Sequence, residues 1–333
     1  MELKKVSIVQ TDSLNPYYNL ALERALMDIC QPDEIILYLW QNQRTVVIGK
    51  NQNYFKECQL DVLEADGGHL ARRMSGGGAV FHDTGNLNFT FIVPKPFFNI
   101  SKQLDVIIMA VSDYGIIAEK SGRNDVIADG DKKFSGNAFL TAGEIWYHHG
   151  TVLIDVDTEN MKKYLTPSKL KLQSKGVESV RSRVVNLTEL NSGITVDKMK
   201  SSMVKAMGDV YGLELSREDI MARVDETALR LYENEFESDS WRLGNQEAME
   251  FECATRYEWG EVQVHIGVRK NKINNIRIYS DSMETEWCQQ KENHYRENLI
   301  GMEFTRGALC DNVSEDVLGD LEKYIEENTN DEV

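Results

Sequence analysis

Arg72-Arg73-Met74-Ser75-Gly76-Gly77-Gly78-Ala79-Val80-Phe81-His82-Asp83 sets two guanidinium groups directly before a triple glycine and a short apolar segment. Successive glycines can turn backbone N–H groups toward an anion without Cβ obstruction, and arginines add planar, permanently charged donors suited to phosphate or carboxylate. Taken by itself, the stretch fits an anion-binding loop and a flexible turn between strands equally well. Two phosphate motifs are excluded. No Lys follows the glycines as in a P-loop, and Phe81 stands where a dinucleotide fingerprint needs its third glycine.

Outward from this loop, short β-rich runs alternate with helical patterns. Leu20, Leu22, Ala25, Leu26 and Ile29 recur at helical spacing between Asn15 and Cys30, with Pro16 placed for an early helical position. Glu34–Trp40, Thr45–Gly49 and Asn88–Val93 read as strands, the last closed by Pro94. A helix is predicted over Ser101–Ile117, and Asp125–Ala128 and Lys132–Gly136 form a hairpin around Asp129-Gly130-Asp131. Thr151–Ile154 reads as a buried strand, Ser174–Arg183 as a polar loop, and Asp197–Tyr211 and Ser216–Tyr232 as helices. An acidic run at Glu233–Ser240 marks an approaching boundary. Beyond it come paired strands at Val262–Val268 and Ile273–Tyr279, then helices near Trp287–Leu299 and Ser314–Ile325.

A chain of 333 residues favours two domains, each large enough for its own core. With 37 basic against 54 acidic residues the formal charge is −17, which opposes general attraction to nucleic acid or anionic lipid. Any phosphate chemistry must use a local basic pocket. The N-terminal residues lack the apolar run of a signal peptide, and no later stretch has the length of a membrane span. Cys30, Cys58, Cys253, Cys288 and Cys310 are scattered and form no C-x-x-C pair, as for reduced thiols. These features point to a cytoplasmic protein.

Five separate pieces then resemble the lipoate-protein ligase family, of the fold shared with biotin ligases and related to class II aminoacyl-tRNA synthetases. They are the Arg72–Asp83 loop, Ser121–Asp125, Lys132–Gly136, His148–Thr151, and Ser174–Val177 with Ser179–Arg183, in family order within the first 190 residues. The resemblance implies an α+β fold: a catalytic domain over residues 1–242 with a mixed or antiparallel sheet and flanking helices, and a smaller α+β accessory domain over 250–333. It implies activation of free lipoate by ATP, with Mg2+, to lipoyl-AMP and pyrophosphate. The acyl group then passes to a lysine of a lipoyl domain of a 2-oxoacid dehydrogenase E2 subunit or of glycine-cleavage H protein.

By the same resemblance, Lys133 is the catalytic lysine, touching both the acyl carboxylate and the α-phosphate. Arg73, Gly78, Ala79, Val80, Phe81, Asn86 and Asp125 join it around ATP or lipoyl-AMP, and Arg73, Ser75, Gly76, Gly77, His82 and His149 around lipoate. Strand alternation turns neighbouring Lys132 to solvent. From the residues alone, Arg72 is open between a surface ion pair and a ligand contact, Ser75 between donating to the ligand and shaping the turn, and His82 and His149 between ligand contact and core packing. Asn86 equally suits an Asx turn and Asp125 a strand cap. The metal ligands and the base for the incoming amine are unassigned.

Two rivals differ in chemistry. A lipoyl or octanoyl transferase of this fold working through a thioester needs a thiolate at the acyl pocket, and no cysteine stands between Cys58 and Cys253. A non-catalytic lipoate- or nucleotide-binding regulator would gain from Lys133 and Arg73 for binding alone. Biotin ligation is disfavoured because a Gly-Arg-Gly-Arg signature is absent.

Overall fold

The run Asn86–Pro94 is buried along its whole length, so it must be covered on both faces. In the computed structural model, which describes residues 2–122, 125–141, 143–166, 184–244, 249–257, 259–304 and residue 319, this run is the third strand of the main sheet. The strands are β1 (Lys5–Gln10), β2 (Glu34–Trp40), β3 (Thr45–Ile48), β4 (His69–Arg72), β5 (Val80–His82), β6 (Asn86–Pro94), β7 (Ala118–Ser121), β8 (Asp125–Ala128), β9 (Lys132–Leu140), β10 (Ile145–Leu153), β11 (Phe251–Tyr257), β12 (Gly260–Arg269) and β13 (Lys272–Ser280). The main sheet has the order β1-β2-β6-β10-β9-β8-β7. Its β1–β2 pair is parallel and the other pairs are antiparallel.

Period-two alternation sorts the side chains of β6. Leu87, Phe89, Phe91 and Val93 enter one core with the helices Ile100–Ser112 and Val196–Tyr211. Ile92, between Thr90 and the strand end, enters a second core with the helix Pro16–Ile29, whose start is capped by the Asn15 side chain. A small sheet, β4-β3-β5, lies beside that helix, and the glycine loop joins β4 to β5. The C-terminal strands form an antiparallel meander, β11-β12-β13, with the helix Thr285–Leu299 closing a separate core. The chain is thus a mixed α+β protein with a smaller C-terminal sheet.

Most predicted elements stand, with local differences. The helix predicted to reach Ile117 ends at Ser112, because Gly115 adopts φ +74° and β7 starts at Ala118. The single helix predicted over Ser216–Tyr232 is a 3₁₀ turn, Ile220–Arg223, followed by the helix Glu226–Glu237. Asp225 breaks it by capping the second helix, accepting from the N–H groups of Thr227 and Ala228. The Ser174–Arg183 loop and the Ser314–Ile325 helix lie outside the described residues, Gly319 excepted.

Phe81 sits in a fourth core beside Val46, Ile48, Leu63, Leu70 and Tyr164, its ring 5.5 Å from that of Tyr164. Phe81→Ala should therefore cost about 3–5 kcal/mol of stability in urea unfolding, as large-to-small core changes do.

Candidate active site

Both arginines of the opening motif are buried, and burial lowers each guanidinium to about 10, so both remain charged at neutral pH. Arg72 is buried rather than a surface group, and it does not line the cleft. It donates to the carbonyls of Lys50, Gln52, Trp241 and Arg242 at 2.7–3.0 Å, tying three chain segments together. Arg73 lines the cleft but turns back on its own loop, donating to Gly76 O at 2.6 Å, Gly78 O at 2.8 Å, Val47 O at 3.2 Å and Ser75 Oγ at 3.0 Å. These bonds fold the glycine run into a fixed shape.

The cleft, about 290 Å³, lies over one face of the main sheet. Register explains its floor. Trp40 pairs with Asn88 and Asn88 with Thr151; in the next row Tyr38 pairs with Thr90, Thr90 with His149 and His149 with Ala138. All of these except Tyr38 and Thr90 line the cleft directly. Apolar lining comes from Leu20, Trp40, Val47 and Val80, whereas Asp125, Lys133, Gly136 and Thr151 come from β8 to β10. Gly77, Gly78, Arg256 and Met283 complete the wall.

Beneath this floor runs a continuous hydrogen-bond chain. Arg73 Nε donates to Ser75 Oγ, which donates to His149 Nε2 at 2.7 Å, and His149 Nδ1 donates to Glu23 Oε1 at 2.8 Å. Trp40 Nε1 donates to Thr90 Oγ1 at 3.2 Å, and Thr90 donates to the same carboxylate oxygen at 2.7 Å. In this direction every link has one donor and one acceptor, with the His149 proton on Nδ1. Ser75 is fully buried and does not line the cleft, so it shapes the loop through His149.

Several assignments change position. Phe81 does not line the cleft: on the three-residue β5, Val80 and His82 point to it and the intervening side chain points away. Asn86 is fully buried and donates at 2.8 Å to Asn88, which lines the cleft in its place. Gly76 does permit close approach, but to the chain itself; a Cβ there would overlap the Ser282 carbonyl oxygen. The Gly77 N–H, at φ +86°, is likewise directed to Ser282 O at 3.1 Å. Lys133 and Asp125 both line the cleft, joined at 2.7 Å, while Lys132 is paired with Asp129 outside it. Gly78, Ala79, Val80, His82 and His149 line it as well.

Glu23, Trp40, Asn88 and Arg256 escape motif reading, and Thr151 stands in the His148–Thr151 motif without an assigned role. The detectable signal for Asn88 and Thr90 was their polar character on a strand flanked by phenylalanines, which in a doubly covered strand means buried polar groups with a task. His82 Nδ1 accepts from Asn42 Nδ2 at 3.1 Å, leaving Nε2–H buried without a protein partner, as is Asn88 Nδ2. None of the four described cysteines lines the cleft, and burial pushes Cys30, Cys58 and Cys288 up to about 12.

Residues 15–208 match the lipoyl protein ligase A/B catalytic domain, and residues 246–333 match the bacterial lipoate protein ligase C-terminus. The chain belongs to the lipoate-protein ligases and is an enzyme of that class. It is similar to Lipoate-protein ligase A of Psychrobacter cryohalolentis, 36% identical over 340 residues that cover 96% of this chain and 99% of that protein. Lipoate-protein ligase A of Bdellovibrio bacteriovorus is 38% identical over 312 residues, covering 92% of each. The crystal structure of P. falciparum LipL1 in complex with lipoate superposes with a TM-score of 0.74 at 26% identity, covering 99% of this chain and 98% of that one. Among the described residues no helix is long and apolar enough to cross a membrane.

Burial, with the nearby Arg73 and His149, lowers His82 from 6.5 to about 3. The folded protein keeps this ring neutral while the unfolded chain takes up a proton below 6.5. The associated stability is complete above that pH and falls as pH drops toward 3, by at most about 1.4 kcal/mol per pH unit. Urea unfolding at pH 7, 6 and 5 should show His82→Gln losing less stability on acidification than the wild type.

Proposed function

We propose that this enzyme activates free lipoate with ATP to lipoyl-AMP, releasing pyrophosphate, and transfers the lipoyl group to a protein lysine. The carrying observation is a single cleft in which an apolar lining from the Pro16–Ile29 helix, β2, β3 and β5 meets the Lys133–Asp125 pair and the glycine loop. An acyl chain suits the first lining and a carboxylate facing a phosphate suits the second. The Nε2–H of His82 and the Nδ2 of Asn88 offer buried donors for oxygen atoms of the bound substrates.

A free carboxylate is a poor electrophile, since an attacking amine would have to expel oxide. Its oxygen therefore first attacks the α-phosphorus of ATP, and the bridging P–O bond to pyrophosphate breaks. Lys133, moving from Asp125, neutralises both approaching anions and holds them at reacting distance. Arg73 contributes charge to the nucleotide phosphate while its loop bonds keep Gly78, Ala79 and Val80 in place. In the second step the neutral lysine amine attacks the acyl carbon, the bond from that carbon to the AMP oxygen breaks, and the surplus amine proton passes to water or to the leaving phosphate.

No group of three His, Cys, Asp or Glu side chains able to hold a metal occurs among the described residues. Mg2+ would enter with the nucleotide as part of the substrate and would neutralise phosphate charge. The acceptors we propose are lipoyl domains of 2-oxoacid dehydrogenase complexes and glycine-cleavage H protein, and the catalytic and accessory portions are proposed to divide at 242–250. The location of the described cysteines away from the cleft favours ligation over thioester transfer.

Lipoate-dependent ATP–pyrophosphate exchange tests the reading, because an enzyme that only accepts preformed lipoyl-AMP shows none. Lys133→Ala should lower exchange by about 10²-fold or more. Its unfolding midpoint should stay near wild type, as the side chain is half-exposed. Near-normal exchange by the folded variant refutes the role of Lys133.

A further inference from the structure

Arg256 belongs to β11, in the C-terminal sheet, yet it lines the same cleft as Lys133, Arg73, Gly77 and Gly78. Its Nη1 is buried and makes no hydrogen bond. Two carboxylates face it: Asp281 Oδ2 at 3.5 Å and Glu261 Oε2 at 3.7 Å. Each has its other oxygen engaged elsewhere. Asp281 Oδ1 accepts the Glu261 N–H at 2.6 Å, and Glu261 Oε1 accepts from Gln263 Nε2 at 3.0 Å. They hold the guanidinium by charge and leave its Nη1 donors unspent.

The other cations of the cleft are differently placed. Arg73 is directed into its own loop and Lys133 is bonded to Asp125. A half-buried guanidinium whose buried Nη1 makes no hydrogen bond is matched by an anion richer in charge than the two carboxylates beside it, and a polyphosphate is such an anion. Arg256 also arrives from a different element than Lys133, so the two can hold different parts of one nucleotide.

We propose that Arg256 binds the β- and γ-phosphates of ATP and stabilises the departing pyrophosphate in the activation step. This rests on the reading that ATP activates lipoate. As the carboxylate oxygen forms its bond to the α-phosphorus, the bond from that phosphorus to the α–β bridging oxygen breaks and its electron pair leaves on pyrophosphate. No proton transfer is required. The growing negative charge on the leaving group meets Arg256 rather than the donors that hold the α-phosphate.

The test uses the full chain with Arg256→Gln and Arg256→Lys, and follows both half-reactions separately. One assay is lipoate-dependent ATP–pyrophosphate exchange at varied ATP; the other is transfer from preformed lipoyl-AMP to an apo lipoyl domain. Arg256→Gln should lower kcat/KM for ATP by about 30-fold or more, with Arg256→Lys intermediate because it keeps the charge and loses the planar fork. Transfer from lipoyl-AMP should stay within about 2-fold in both variants, since that substrate has no β- or γ-phosphate. Unchanged ATP dependence in Arg256→Gln overturns the proposal, and so does an equal loss in both half-reactions, which marks a structural role. Absence of exchange in the wild type instead overturns the underlying ATP reading.

Discussion

A buried guanidinium must have its N–H groups met, and Arg72 and Arg73 meet theirs on backbone carbonyls. From that constraint the rest follows. Arg72 ties the turn after β3 to the segment at Trp241–Arg242, and Arg73 pulls the carbonyls of Gly76 and Gly78 inward. The loop between β4 and β5 is thereby fixed against β3, and through Ser75 and His149 to the main sheet, while its opposite side is available to the C-terminal segment. Arg73, read as a ligand contact, and Arg72, open between a ligand contact and a surface ion pair, both spend much of their hydrogen-bonding capacity on the protein itself.

The floor of the cleft shows a second use of buried polarity. Glu23 is almost completely enclosed, yet it accepts from both Thr90 and His149 and so carries two arms of one chain of donors. One arm ends at Trp40 in the apolar lining and the other at Arg73 beneath the glycines. The apolar and the phosphate-facing parts of the cleft are therefore set by one carboxylate on the helix Pro16–Ile29. A fully satisfied network of this kind holds its members in one arrangement.

Much of this was legible from sequence. Period and punctuation located the first helix, the hairpin at Asp129–Gly130 and the strands β2, β3, β6, β12 and β13, because those signals are local. For the Lys132–Lys133 pair the family motif chose Lys133, and alternation then turned Lys132 to solvent. The same rule applied to Val80-Phe81-His82 would have turned Phe81 away from the cleft, but a motif was read there as a contiguous block. Asn86 was taken where Asn88 belongs for a related reason: both share a face, and only the register with Trp40 and Thr151 decides which reaches the cavity. Glu23 and Arg256 carry no local mark. Their places depend on packing between segments distant in the chain, as does the meeting of Gly76 with Ser282.

That last contact makes the glycine run belong to two surfaces at once. One side forms part of the cleft wall; the other is in van der Waals contact with the backbone of Ser282 and Met283, with the Gly77 amide bonded across the junction. Positions 76–77 and 282–283 are consequently one unit for substitution, although some two hundred residues separate them in the chain. A change in either stretch alters the fit of the other, so their effects on stability will not add, and engineering this wall of the cleft without regard to the C-terminal segment redesigns both.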